Sequence, residues 1–151
     1  MHDPVDLVEA SYIARAAKGD PDAQGAFVHW AVSLADSGQM PLAECAVMAE
    51  LMGRMAAAHG RPEDRSVLVL ALQLSARAAR ASGRTEAAMG FEAECVALLN
   101  EAADEGCEGS ADLLMSWADI LAPETIALAG KLKRRTTDTA SWLAYPETAE
   151  G

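Results

Sequence analysis

The sequence predicts an all-α fold in which antiparallel helical hairpins stack as a short α/α solenoid of about seven helices. The chain of 151 residues is 51% hydrophobic but only 5% aromatic. Alanine supplies much of that hydrophobic share, and it loses no side-chain entropy in a helix. Glycines and prolines recur at intervals that suit the ends and starts of helices. No segment alternates polar and apolar residues for long enough to predict a strand.

The two central helices carry the clearest patterns. Residues 66–82 are apolar all round near their start, which is typical of a buried central helix. We expect Gly83 to end this helix and Gly106 to end the next one. The helix between these glycines has an apolar stripe at helical spacing, formed by Ala88, Phe91, Cys95, Leu98, Leu99 and Ala102. The segments on either side are predicted to be imperfect copies of this hairpin.

Proline and glycine also bound the other predicted helices. An Asp-Pro pair starts a helix well, because Asp caps exposed N–H groups and Pro is tolerated at the first helical position. Connections of three to five residues make neighbouring helices antiparallel. The predicted limits are Asp3 to Gly19, Asp20 to Gly38, Pro41 to about Ala58, Pro62 to Gly83, Thr85 or a neighbour to Gly106, a short helix capped by Ser110, and Pro123 to about Arg135.

The spacing of the glycines predicts a repeat. Gly38 and Gly83 are 45 residues apart, and Gly60 and Gly106 are 46 residues apart. Periods of about 40–47 residues with two helices each are typical of helical solenoids, in which stacked hairpins bury one another's apolar faces. An ordinary helical bundle with evenly spaced glycines is the alternative interpretation.

Three segments resemble a known repeat family. ARAAKGDPDAQ, residues 14–24, resembles the Sel1-like repeat, which joins a helix ending in paired alanines to a Gly-Asp turn and an Ala-led helix. RMAAAHG and NEAADEG resemble degenerate forms of this junction, and SGRTEAAMGFEAECVALL resembles a tetratricopeptide hairpin. The resemblance covers roughly residues 8–121. It implies binding of protein partners through an extended concave surface, without catalysis.

Charge and composition exclude several classes of protein. A formal net charge of −11 argues against direct binding to a nucleic-acid backbone, which requires clustered Lys and Arg. The N-terminus lacks the apolar segment of a secretory signal, and no apolar run approaches the roughly 20 residues of a membrane span. The three cysteines show no CxxC spacing. We therefore expect a reduced, cytoplasmic protein without a structural disulfide.

The sequence contains no recognisable catalytic, cofactor or metal site. The motifs GxSxG, HExxH and GxGxxG are absent, as is a phosphate-binding loop. The three histidines are far apart and are not near a cysteine at ligand spacing. We predict no enzyme activity, no cofactor and no metal.

Acidic residues form the most distinctive pattern. No Lys or Arg occurs between Glu92 and Glu124. At 100° per residue, Glu94, Glu101 and Glu105 share one helix face, and Asp112 and Asp119 share a face of the next helix. Two interpretations are open. The face either keeps an alanine-rich protein soluble or docks a basic partner.

These patterns predict a small protein-interaction module that binds a protein or peptide, with a basic partner as one form of this hypothesis. A polar groove on the first helices of the hairpins is predicted from His29, Ser33, Gln73, Arg77, Ser116 and Asp119. Two alternatives are open: an acidic decoy that blocks a nucleic-acid-binding protein, and a helical enzyme or ligand-binding protein with an unrecognised pocket.

The last residues are set apart from the helical array. We predict one helical-repeat domain over residues 1–136 and a weakly structured tail over residues 137–151. Trp142, Leu143 and Tyr145 are apolar residues in this otherwise polar tail. Two roles are open for them: covering the last hairpin, or docking to another subunit of a homodimer.

Overall fold

The computed structural model describes residue 11 and residues 13–137, with side chains through Leu132. This part of the chain is entirely helical apart from its connections, and it contains no strand. The prediction of an all-α helical stack is confirmed. The predicted helix start at Asp3 and the apolar tail residues Trp142, Leu143 and Tyr145 lie outside the described residues.

Seven helices follow one another with connections of three to five residues, as predicted. The first, α1, covers residues 13–17. The others are α2 (Pro21–Asp36), α3 (Leu42–Ala57), α4 (Pro62–Ala81), α5 (Thr85–Asp104), α6 (Glu108–Trp117) and α7 (Pro123–Thr137).

Left-handed glycines end five helices, as the sequence predicts. A positive φ is accessible to glycine without steric cost, and it reverses the chain within one residue. At Gly83 the φ angle is 77°, and the amide of Arg84 donates a hydrogen bond of 2.8 Å to the carbonyl of Ala79. The same bond closes the turns at Gly19, Gly38 and Gly106. Among the described residues, the glycines with positive φ are Gly19, Gly38, Gly60, Gly83 and Gly106.

Of two predicted helix caps, Asp20 is right and Ser110 is wrong. Asp20 caps α2, because its Oδ1 accepts hydrogen bonds from the amides of Asp22 at 2.9 Å and Ala23 at 3.4 Å. Ser110 does not cap α6, which begins at Glu108 with Cys107 in the capping position. After the turn at Gly106, α6 begins two residues later at Glu108, so Ser110 lies in the first turn of α6.

The chain divides into two compact units, Met1–Cys95 and Val96–Gly151, with the boundary inside α5. In the first unit α3 packs against both α2 and α4, and α2 also contacts α4. Half of the residues of α4 are buried, as expected for a central helix. A buried apolar cluster in the core of this unit is formed by Val28, Ala31, Cys45, Ala46, Ala49, Ala71, Leu74 and Ala78.

In the first unit α2 and α4 run in the same direction. Asp22 at the start of α2 pairs with Arg61, which directly precedes α4, at 2.9 Å. Asp36 at the end of α2 pairs with Arg77 in the last turns of α4, also at 2.9 Å. Two short connections therefore bring the chain back beside α2 in parallel alignment.

The second unit contains the end of α5 together with α6 and α7. Its buried apolar residues include Val96, Leu99 and Ala129, and its buried polar residues include Ser110 and Thr125. The predicted domain of residues 1–136 and the tail of residues 137–151 stay predictions, since nearly all of the tail lies outside the described part of the chain.

Candidate acidic docking surface

One face of α6 and the turn after it exposes both large apolar and acidic side chains. Met115 is 76% exposed and Ile120 is 77% exposed. Asp112, Ser116 and Asp119 are exposed as well. We call this set, Asp112, Met115, Ser116, Asp119 and Ile120, the α6 surface.

Helical geometry explains why Asp112, Met115, Ser116 and Asp119 lie together. Asp112, Met115 and Ser116 follow the spacing of one helix face. The amide of Leu121 donates to the carbonyl of Trp117 at 3.0 Å, so the backbone makes one more turn after α6. That turn places Asp119 on the same side, one turn beyond Met115. The α6 surface is thus built by local geometry and is formed within the second unit.

The opposite side of α6 faces the protein. Leu113, Leu114 and Trp117 are half-buried there. The hydroxyl of Ser116 donates to the carbonyl of Leu113 at 2.8 Å, so it is satisfied within its own helix. α6 therefore has a packed side, and its exposed side carries carboxylates and two aliphatic groups.

The stretch of chain that contains α6 is acidic, and the four Lys and Arg residues of the second unit, Lys131, Lys133, Arg134 and Arg135, follow it at the end of α7. Residues 96–130 contain seven acidic residues and no Lys or Arg. Asp112 and Asp119 of the α6 surface are exposed and form no ion pair with the side chains that the structure describes, and the same holds for Glu108 and Glu124. The acidic residues of this stretch are Glu101, Asp104, Glu105, Glu108, Asp112, Asp119 and Glu124.

The structure changes the membership of the predicted acidic face. Glu94, predicted to share a face with Glu101 and Glu105, belongs to the first unit and is held by Arg54. The two guanidinium contacts measure 3.0 and 2.9 Å, and this pairing raises the pKa of Arg54 above its ordinary value. Sequence reasoning missed the pair because Arg54 and Glu94 are 40 residues apart.

The predicted polar groove lies partly on α2 and α4. His29 and Ser33 are exposed on α2, while Gln73 is half-buried and Arg77 exposed on α4. Two of these side chains already have partners. The Ser33 hydroxyl donates to the His29 carbonyl at 3.1 Å, and Arg77 pairs with Asp36. The remaining predicted groove residues, Ser116 and Asp119, belong to the α6 surface of the second unit.

A second exposed apolar stripe runs along α3. Val47 is 70% exposed and Leu51 is 58% exposed, and Met55 follows one turn later. Met52, by contrast, packs against the core. The i, i+4, i+8 spacing of this stripe is visible in the sequence, but its exposure depends on which side of α3 faces its neighbours.

Two of the three cysteines are packing residues. None of the three forms a disulfide; Cys45 and Cys95 are buried and Cys107 is exposed. The Cys95 thiol donates to the carbonyl of Val69 at 3.5 Å. Burial raises the pKa of Cys95 to about 12, so this thiol stays protonated at neutral pH. Within the described residues, no group of three His, Cys, Asp or Glu side chains is placed to hold a metal ion.

Two further findings concern the chain as a whole. Among the described helices, none combines the length and the apolar character needed to cross a membrane. In comparisons with known proteins, no family model, no curated protein and no solved structure matches this chain.

Proposed function

We propose that this protein is a non-catalytic interaction module that binds a basic segment of a protein or peptide through the acidic face around α6. The observation that carries the proposal is the uneven distribution of charge. In the first unit five arginines pair with carboxylates: Arg15 with Asp20, Arg54 with Glu94, Arg61 with Asp64, Arg77 with Asp36, and Arg80 with Glu92. Residues 96–130 of the second unit contain no such cation.

Electrostatics supports a basic partner for this face. Carboxylates gathered on one surface make the local electrostatic potential more negative. This speeds the approach of a basic partner and disfavours acidic ones. Exposed carboxylates contribute little to folding stability, so the fold does not require them at these positions. The groove on α2 and α4 is a weaker candidate because its serine and arginine are already engaged.

The proposal also includes a cellular location and a protein family. The lack of a disulfide among Cys45, Cys95 and Cys107 supports a reducing, cytoplasmic location. The left-handed glycine turns and the parallel pairing of α2 with α4 support a Sel1-like or tetratricopeptide-like helical repeat, a type of protein used for binding other proteins.

The experiment compares two double charge reversals in a capture assay from native lysate. Asp112→Lys/Asp119→Lys changes the acidic face, and Glu44→Lys/Glu86→Lys makes the same change of net charge at exposed positions of the first unit. We expect the wild type and the control variant to retain the same partner, and the α6 variant to lose it. Retention of the partner should also weaken with salt, because the Debye length falls from about 10 Å at 0.1 M to about 3 Å at 1 M.

Two outcomes would change the proposal. Equal retention of every captured protein by the α6 variant and the wild type would show that the acidic face serves solubility alone. Capture of nucleic-acid-binding proteins that DNA or RNA displaces would favour the acidic decoy. Circular dichroism of both variants checks that each keeps the helical fold.

A further inference from the structure

We infer that the segment bound by the α6 surface is a basic amphipathic helix, in which apolar side chains contact Met115 and Ile120 while Lys or Arg side chains pair with Asp112 and Asp119. This inference rests on the proposed function and specifies the partner's chemistry. The exposure of Met115 and Ile120 carries it, because charge alone does not explain two aliphatic groups that are each more than three-quarters exposed.

The register of Asp112, Met115 and Asp119 fits such a partner. Met115 lies three residues after Asp112 and four before Asp119, so the two carboxylates flank it on one helix face. Side chains at these spacings lie about 5–6 Å apart. A partner helix with an apolar residue between two basic residues, at the same three- and four-residue spacing, matches this order of acid, aliphatic group and acid.

The two kinds of contact have different roles. Opposite charges accelerate encounter, whereas removal of the methionine and isoleucine side chains from water slows dissociation. Methionine adapts its flexible side chain to partners of different shape, which suits a surface that selects a pattern rather than one sequence. Exposed aliphatic groups do not serve solubility, so an acidic face retained only as a solubility device would not place Met115 between its carboxylates.

A second copy of this chain is a poor occupant of the α6 surface. In a two-fold dimer the same patch meets itself, so Asp112 and Asp119 would face their own equivalents. Like charges in direct opposition disfavour that arrangement. A basic segment has the complementary sign and is therefore the occupant that the charges favour.

The test uses the full chain and three synthetic peptides of about 14 residues, a length that spans four helical turns. The first contains Lys and Leu with Leu at helical spacing, the second has Ser in place of every Leu, and the third has the Lys and Leu residues in scrambled order. Titration calorimetry at about 0.15 M salt gives each affinity. We expect the Lys/Leu helix to bind about tenfold more tightly than either of the other peptides.

Matched protein variants locate the apolar contact. Met115→Ser/Ile120→Ser should remove the preference for the Lys/Leu helix. Val47→Ser/Leu51→Ser alters exposed aliphatic residues on α3 and should leave the preference unchanged. An equal loss of preference in both variants would overturn the inference, since it would indicate nonspecific apolar contact.

The peptide comparison on the wild-type protein separates the two proposals and does not depend on the folding of any variant. Equal affinity for the Lys/Leu and Lys/Ser peptides would overturn the amphipathic helix while leaving a basic partner in place. If no basic peptide binds, the proposed function fails, and the inference fails with it.

Discussion

Gly53 and Ala71 meet at the crossing of α3 and α4, where a Cβ added to Gly53 would lie 2.9 Å from the Cβ of Ala71. The same added atom would lie 3.4 Å from the Cα of Leu68. Contacts this short leave no room for even one methyl group, and the neighbouring atoms belong to short or backbone groups that cannot turn away. The absence of a side chain at Gly53 therefore sets how closely α3 approaches α4.

Gly53→Ala should lower the free energy of unfolding by about 1–3 kcal/mol through overpacking, although alanine favours the helix itself. Gly90→Ala is the matched control, because Gly90 lies within α5 and no described atom would come within 4 Å of its added Cβ. That control should raise the free energy by about 0.5–1 kcal/mol. Urea unfolding followed by circular dichroism measures both. Effects of the same sign would contradict the close approach.

Acid should destabilise the first unit through Asp64, whose side chain is only 2% exposed. Its two oxygens accept hydrogen bonds of 2.8 Å from Nε and Nη2 of Arg61, and this pairing lowers the pKa of Asp64 below its ordinary value of 3.8. A carboxyl group with a lowered folded-state pKa contributes stability above its unfolded pKa. That contribution is lost as the pH falls below about 4 and through the folded-state pKa.

Asp64→Asn should therefore reduce stability at pH 7 and flatten the dependence of stability on pH below about 4, because Asn has no proton to gain. Glu63→Gln is the control, since Glu63 is 63% exposed and lies 3.6 Å from the same Arg61. Its effect should stay below about 1 kcal/mol, as is usual for exposed pairs. Urea unfolding at several pH values gives both profiles. Parallel profiles for Asp64→Asn and the wild type would refute the role of Asp64.

Thr125→Val should stabilise the second unit. Thr125 is fully buried, and its hydroxyl oxygen has no hydrogen-bond partner among the described residues. Valine has the same shape without the polar group, and a buried unsatisfied group costs about 1–3 kcal/mol. Thr125→Ser keeps the hydroxyl but loses the methyl group, so it should not stabilise. Thermal unfolding of the two variants checks this, and a lower melting temperature for Thr125→Val would show that the hydroxyl has a partner.

Local features of the fold were predictable from the sequence. The glycine turns and the start of α2 at Asp20-Pro21 depend on backbone geometry and on groups within a few residues. The mistaken cap at Ser110 was also a local inference, and it failed because the turn at Gly106 had already positioned Cys107.

Features that depend on packing between helices were less accessible. Met48, Met52 and Met55 share a helical spacing in the sequence, yet Met52 packs against the core while Met55 is exposed. The sequence shows the period, but the neighbouring helices determine which side is covered. The candidate site shows the same contrast between local spacing and packing. Asp112 and Asp119 lie on the α6 surface as their spacing indicates, whereas Glu94 pairs with Arg54 of another helix.

The ion pairs between alternate helices also bear on the order of folding. Asp22 and Arg61 are separated by 39 residues, Arg54 and Glu94 by 40, and Asp36 and Arg77 by 41. Helices that are adjacent in the chain are joined by connections of three to five residues. Loops of this size close on a submicrosecond timescale. Each ion pair can form only after the helix between its two partners has folded back. We therefore expect short-range contacts to form first and the charged contacts between alternate helices to form later.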